Sequence, residues 1–168
     1  IFVFAELAER AFARVRPAVA MEVGLVGARR RHDALYDAPL WNMALIASRL
    51  HWVWVGTVCS RLEMRFSYSN TLGWNTFPVP MLTEKNKVDL KRCAENILLA
   101  REAHFPKTIA DLYKPDAMPD NLRQAHEKND ETLERIYIGR RFKNDTERLE
   151  KLFKMYTEMT TTEEKSFG

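Results

Sequence analysis

The sequence predicts a mostly α-helical protein, with a helical bundle over residues 81–168 and a smaller, β-containing segment over residues 1–80. Three observations carry this. After Pro80, apolar residues recur at helical spacing in pieces punctuated by Pro106, Pro115, Pro119 and Gly139. Before Pro80, the run AVAMEVGLV at residues 18–26 is rich in small and β-branched residues and is closed by Gly27, which suits a strand. Charge and tryptophan are also unevenly divided. Residues 1–80 hold nine basic against six acidic side chains and all four Trp, whereas residues 81–168 hold seventeen of each charge and no Trp. The chain therefore divides into two domains, 1–80 and 81–168, with a change of role near Pro80.

The elements follow in order. Phe4, Leu7, Ala8, Ala11, Phe12 and Val15 share a helical face that Pro17 ends, which predicts a short helix ahead of the strand. Residues 40–62 are the most apolar stretch, without internal Pro, and read as one buried helix with its Trp cluster in the core. Residues 67–80, with Asn70, Gly73, Asn75 and two Pro, must leave helical geometry and cross in turn or extended conformation. Thr83 can cap a helix to about residue 103, with Val88, Cys93, Ala94, Ile97, Leu98 and Arg101 on its face. A single turn over residues 108–113 precedes a helix opened by Pro119 and closed by Gly139. Asn144 can cap the last helix, whose face is Leu149, Leu152, Phe153, Tyr156 and Met159, and the polar tail from Thr160 is expected to fray.

Composition bounds the function. With 168 residues, 46% of them hydrophobic and 29% charged, the chain can bury a core without disulfides. Arg49 and His51 split the longest apolar run, so no membrane span or membrane partner is expected. Cys59 and Cys93 lack zinc-site spacing and are too few for a disulfide framework, which suits a reducing, cytoplasmic setting and buried thiols. The chain starts at Ile1 without signal-peptide features and reads as a fragment of a longer protein.

Catalytic patterns are sparse. Six scattered Gly make no phosphate-cradling loop between a strand and a helix. His32, His51, His104 and His126 lack metal-ligand spacing, and Pro115-Asp116 with Glu163-Glu164-Lys165 cannot build a nuclease centre from helical or frayed sequence. No catalytic residue, cofactor site or metal site is expected in the fragment. Recognition remains. Arg29, Arg30, Arg31 and His32 form a compact basic cluster that is either a solvated loop or a phosphate contact. Glu63 and Arg65 stand two apart, on one side of the chain if it is extended there. Arg can bond guanine O6 and N7 together and Glu can accept from cytosine N4, so the pair could read a base pair; a solvent-exposed pair of opposite charge is the alternative.

Several ordered motifs carry a resemblance. Ser48-Arg49-Leu50-His51-Trp52-Val53-Trp54-Val55, Ser60-Arg61-Leu62, Tyr68-Ser69 and Trp74-Asn75-Thr76-Phe77-Pro78-Val79-Pro80 resemble the end of the target-recognition domain of MmeI-like DNA methyltransferases. These are the type IIL restriction-modification enzymes and their phage-defence relatives. Ala110-Asp111-Leu112-Tyr113, Pro115, Met118-Pro119, Leu122-Arg123, Ala125-His126, Asp130, Tyr137 and Glu147-Arg148-Leu149 resemble the helical domain that follows it. The resemblance spans roughly residues 36–159 and implies the last part of a DNA target-recognition domain followed by a C-terminal helical bundle.

It further implies an S-adenosylmethionine-dependent adenine-N6 methyltransferase as the parent, with its cofactor and catalytic motifs upstream of this fragment. Partners would be double-stranded DNA and the upstream methyltransferase domain of the same chain. Glu63 and Arg65 fall where such proteins carry a specificity-setting charged pair. Arg29, Arg30 and Arg31 lie ahead of the resemblance and rest on their charge alone; with Arg61 they are expected to contact the DNA backbone. Ser67 and Trp74 depart from the Arg and Tyr frequent at those family positions. A second reading, from the zero net charge of residues 81–168, is a helical protein-interaction module that does not touch DNA.

Overall fold

The computed structural model describes residues 38–59, 61–62, 65–66, 70–114 and 116–166, and they are mostly helical. The helix and strand expected over residues 4–15 and 18–26 lie outside them.

The apolar stretch that begins at Leu40 forms two helices rather than one: α1, Trp41–Ile46, and α2, Arg49–Val58. The correction turns on Ser48, which is buried and extended (φ −90°, ψ 157°). Its hydroxyl donates to the Leu45 carbonyl at 2.6 Å and accepts from the His51 N–H at 3.1 Å. One side chain thus serves groups on both sides of the break, which is how a chain can change direction inside a core without orphaning its backbone. α2 ends at an extended Cys59. Two short strands follow, β1 (Arg61–Leu62) and β2 (Arg65–Phe66), paired antiparallel with Arg61 opposite Phe66 and Leu62 opposite Arg65. The expected helical reading of residues 61–62 is therefore also replaced. Residues Asn70–Trp74 form a single π turn, and irregular chain leads on to Thr83.

The later helices keep the caps that the sequence offers. α3, Glu84–Glu102, starts with Thr83 Oγ1 accepting from the Asn86 N–H at 3.2 Å, with Glu84 in its first turn and Arg101 in its last. Thr108 caps the single turn α4, Ile109–Leu112. α5, Asp120–Ile138, is entered through Pro119 and closed by Gly139 at φ 77°, a left-handed conformation that favours glycine. α6, Asp145–Ser166, begins with Asn144 Oδ1 accepting from the Glu147 N–H at 2.9 Å. It continues through the tail expected to fray from Thr160. The hydroxyls of Thr157, Thr160 and Thr161 bond carbonyls one turn back, so the polar run stays compatible with a helix.

α3 lies between α1 and α5, and α2 rests on the π turn and α6. Met43, Leu45, Leu50, Trp54, Leu90, Ile97, Leu112, Leu122, Leu133 and Leu152 fill one continuous core. Each fully buried Leu contributes roughly 2 kcal/mol of transfer free energy. On α3 the buried stripe runs through Leu90, Cys93, Ala94 and Ile97, and Val88, expected to face inward, is 57% exposed. Both cysteines are buried free thiols. Among the described residues no helix is long and apolar enough to cross a membrane, and no His, Cys, Asp and Glu side chains gather as metal ligands.

Candidate nucleic-acid interface

Of the expected DNA-contacting residues, Arg61 and Arg65 stand on the paired strands, on adjacent rungs of the ladder. Glu63 and the cluster Arg29, Arg30, Arg31 lie outside the described residues. The hairpin directly follows α2, so its placement depends on what holds that helix.

The start of α2 is gripped by α5 and α6. The Arg49 N–H donates to Asp130 Oδ1 at 2.7 Å, and the Arg49 guanidinium forks onto Asp145 at 3.2 and 2.5 Å. Asp145 also accepts from Arg148 at 2.9 Å. Arg148 forks in turn onto the fully buried Glu134 at 2.9 and 2.5 Å, and Glu134 also accepts from the Phe142 N–H at 3.1 Å. Asn129, fully buried on α5, donates from Nδ2 to the Ala44 carbonyl of α1 at 2.8 Å. Burial pushes the Asp130 carboxyl up to about 6 against the pull of the Arg49 N–H, with Glu134 adding to the rise. Asp145 moves the opposite way, held below the usual carboxylate range by the Arg49 hydrogen bond.

The middle of α2 is held by aromatic contacts. Trp54 is buried against Phe153 and Tyr156 of α6, with ring centroids 5.2 and 5.6 Å away, and its Nε1–H donates to Thr76 Oγ1 at 3.1 Å. The Thr76 hydroxyl passes the bond on to the Leu72 carbonyl, fixing the π turn beneath the helix. His51 presents its ring edge-on to Phe77 at 4.8 Å and Trp74 at 6.0 Å, and complete burial lowers its pKa to about 3, so it is neutral. The Tyr137 hydroxyl donates to the Pro78 carbonyl at 2.9 Å, tying the crossing segment to α5.

A second buried polar group joins α3, α4 and α5. Arg101 donates to the Tyr113 hydroxyl at 3.0 and 2.5 Å, and that oxygen lies 2.6 Å from His126 Nε2. Burial first, and the Arg101 charge second, lower His126 to about 3, while a bond to the Ala47 main chain opposes the fall. Asn129, Asp130 and Glu134 were not singled out as functional by sequence reasoning. The available signal is that they sit on the same helical stripe as Leu122, Leu133 and Tyr137, which is an unusual place for polar groups meant only for solvent.

Among the described glycines, Gly56 lies inside α2, Gly73 in the π turn and Gly139 at a helix end.

A hairpin carried on a buttressed helix, with a helical bundle behind it, is the arrangement these contacts build. The family described as the MmeI target recognition domain matches residues 17–81, and the one described as the MmeI C-terminal domain matches residues 82–163. The chain belongs to the MmeI family and comprises target-recognition and C-terminal domain sequence. It is 42% identical over 126 residues to DNA methyltransferase A of Bacillus subtilis (strain 168), covering 75% of this chain and 14% of that protein. It also resembles the solved structure of the type IIL restriction-modification enzyme MmeI in complex with DNA. That match has a TM-score of 0.72 and 33% identity, and covers 76% of this chain and 17% of the other. The chain thus spans about one seventh of the curated relative's length.

Proposed function

We propose that this chain is the DNA-reading and buttressing C-terminal part of an S-adenosylmethionine-dependent adenine-N6 DNA methyltransferase, working in the cytoplasm in restriction-modification or phage defence. The observation that carries the reading is the contiguous match of residues 17–81 and 82–163 to the MmeI target recognition and C-terminal domains. The similarity to MmeI solved on DNA supports it.

On this reading, residues 1–80 end the recognition domain and residues 81–168 form the bundle behind it. Glu63 and Arg65 contact base edges, while Arg29, Arg30, Arg31 and Arg61 neutralise phosphates. Each phosphate contact steepens the salt dependence of binding by roughly 0.9 in the log–log slope. The target adenine is flipped out of the duplex toward a catalytic domain elsewhere in the protein. The methyl donor is held there too, and this fragment supplies recognition and no catalytic group.

The test exchanges the pair, E63R with R65E, in the intact protein and reads the methylated sequence of host DNA. A changed base at one position of the methylated site is expected. An unchanged site overturns the assignment of these two residues, and the absence of any adenine methylation by the unaltered protein overturns the reading.

A second reading holds that residues 81–168 dock another protein domain without touching DNA. The balanced charge of that half favours it, as do the exposed Met81, Val88, Leu99 and Phe105. Titration of the chain against duplex DNA at two salt concentrations separates the two. Salt-dependent association supports DNA reading, and its absence supports the docking module.

A further inference from the structure

At the break between α1 and α2, four backbone groups are bonded by side chains, and two different sources supply them. Ser48 serves the Leu45 carbonyl and the His51 N–H. The Ala44 carbonyl and the Arg49 N–H are served from α5, by Asn129 Nδ2 at 2.8 Å and Asp130 Oδ1 at 2.7 Å. Ser48 alone would let the two helices hinge. Two adjacent residues of a third helix, one bonded on each side of the break, fix the angle between them.

The angle matters because α2 is a lever. Its ten residues end next to the hairpin. Over such a helix, about 15 Å long, a tilt of about 10° at the clamp displaces the far end by roughly 2.5 Å. Base-edge hydrogen bonds tolerate only about 0.5 Å of misplacement, whereas phosphate contacts through long Arg side chains absorb much more.

We infer that Asn129 and Asp130 are positioning residues for the base-reading hairpin: from α5 they set the direction in which α2 delivers residues 61–66. The inference rests on the DNA-reading function proposed above. It assigns the clamp to sequence selectivity rather than to affinity or to folding alone.

The test uses the intact protein and a random-sequence duplex pool, with enrichment of bound sequences and affinity for unselected duplex measured side by side. Asp130→Ala and Asn129→Ala are expected to reduce enrichment of the preferred sequence by about tenfold, the scale of one lost base contact. Affinity for unselected duplex and its salt slope stay unchanged. Asp130→Asn, which keeps an acceptor for the Arg49 N–H, restores the enrichment. Equal enrichment in the Ala variants overturns the inference, and so does a parallel fall in both affinities. Should the Ala variants fail to fold, Asn129→Leu, which fills the same space without the Nδ2 donor to the Ala44 carbonyl, carries the same comparison. If the unaltered protein enriches no sequence, the DNA-reading function itself fails and the positioning role with it.

Discussion

Acidification is the perturbation whose effect can be worked out most fully. His51 and His126 are both neutral in the fold, with pKa values lowered to about 3, chiefly by burial. In the unfolded chain each titrates near 6.5. Between those values the unfolded state binds more protons, so the contribution of each His is fully present above about pH 6.5 and is lost as the pH falls. From pH 7.5 to 5.0 each costs about 2 kcal/mol of stability. Asp130 opposes them. Its carboxyl sits at about 6, raised by burial and by Glu134 and lowered by the Arg49 N–H, Arg148 and Arg141. It takes up a proton in the fold first and returns a little over about 1 kcal/mol over the same range. The carboxylates held low by cations, Asp111, Glu131, Asp145 and Glu147, lose their contribution mainly below about pH 4.5. The expected net loss between pH 7.5 and 5.0 is about 2–3 kcal/mol. Urea denaturation followed by Trp fluorescence at several pH values measures it. In the double variant His51→Asn, His126→Asn the sign reverses, leaving the gain of about 1 kcal/mol from Asp130. A double variant that loses as much stability on acidification as the unaltered chain would refute the reasoning.

Two further outcomes are expected. Gly139→Ala places a Cβ at φ 77°, where nothing lies within 4 Å. The cost is therefore conformational, about 1 kcal/mol by chemical denaturation, with Gly139→Asn costing less; a neutral Gly139→Ala would contradict the left-handed cap. Glu134→Ala strips the acceptor from Arg148, Arg141 and the Phe142 N–H, and should cost about 3–5 kcal/mol, since it leaves a mostly buried guanidinium partly unpaired. A loss under 1 kcal/mol in the same assay would show that solvent replaces those bonds.

Local chemistry was legible in the sequence, and long-range chemistry was not. Thr83, Asn144 and Gly139 act through their own neighbours, and each appears where the sequence places it. Ser48 was hidden inside an apolar run because what makes a break tolerable there is supplied by Asn129 and Asp130, more than eighty positions away. On α3, periodicity placed Val88 on the buried face, and packing buries Leu90 instead. The prolonged α6 depends on threonine hydroxyls returning to their own helix, which composition reads only as polarity. For the candidate site, Arg61 and Arg65 are placed by backbone register. The side chains that aim the hairpin sit on α5, where only their place on the apolar stripe of Leu122, Leu133 and Tyr137 sets them apart from a solvated face.

The part of the grip that α5 supplies to the α1–α2 corner falls on a carbonyl and an N–H, and every residue except proline carries both alike. A contact of this kind is blind to the side chains beside it. The bundle behaves as a fixture with a standard fitting. Corners with different side chains can be seated in it without recutting the socket, provided they keep the same bend and a matching apolar underside. Diversification of what the hairpin presents can therefore proceed at little risk to the frame that supports it.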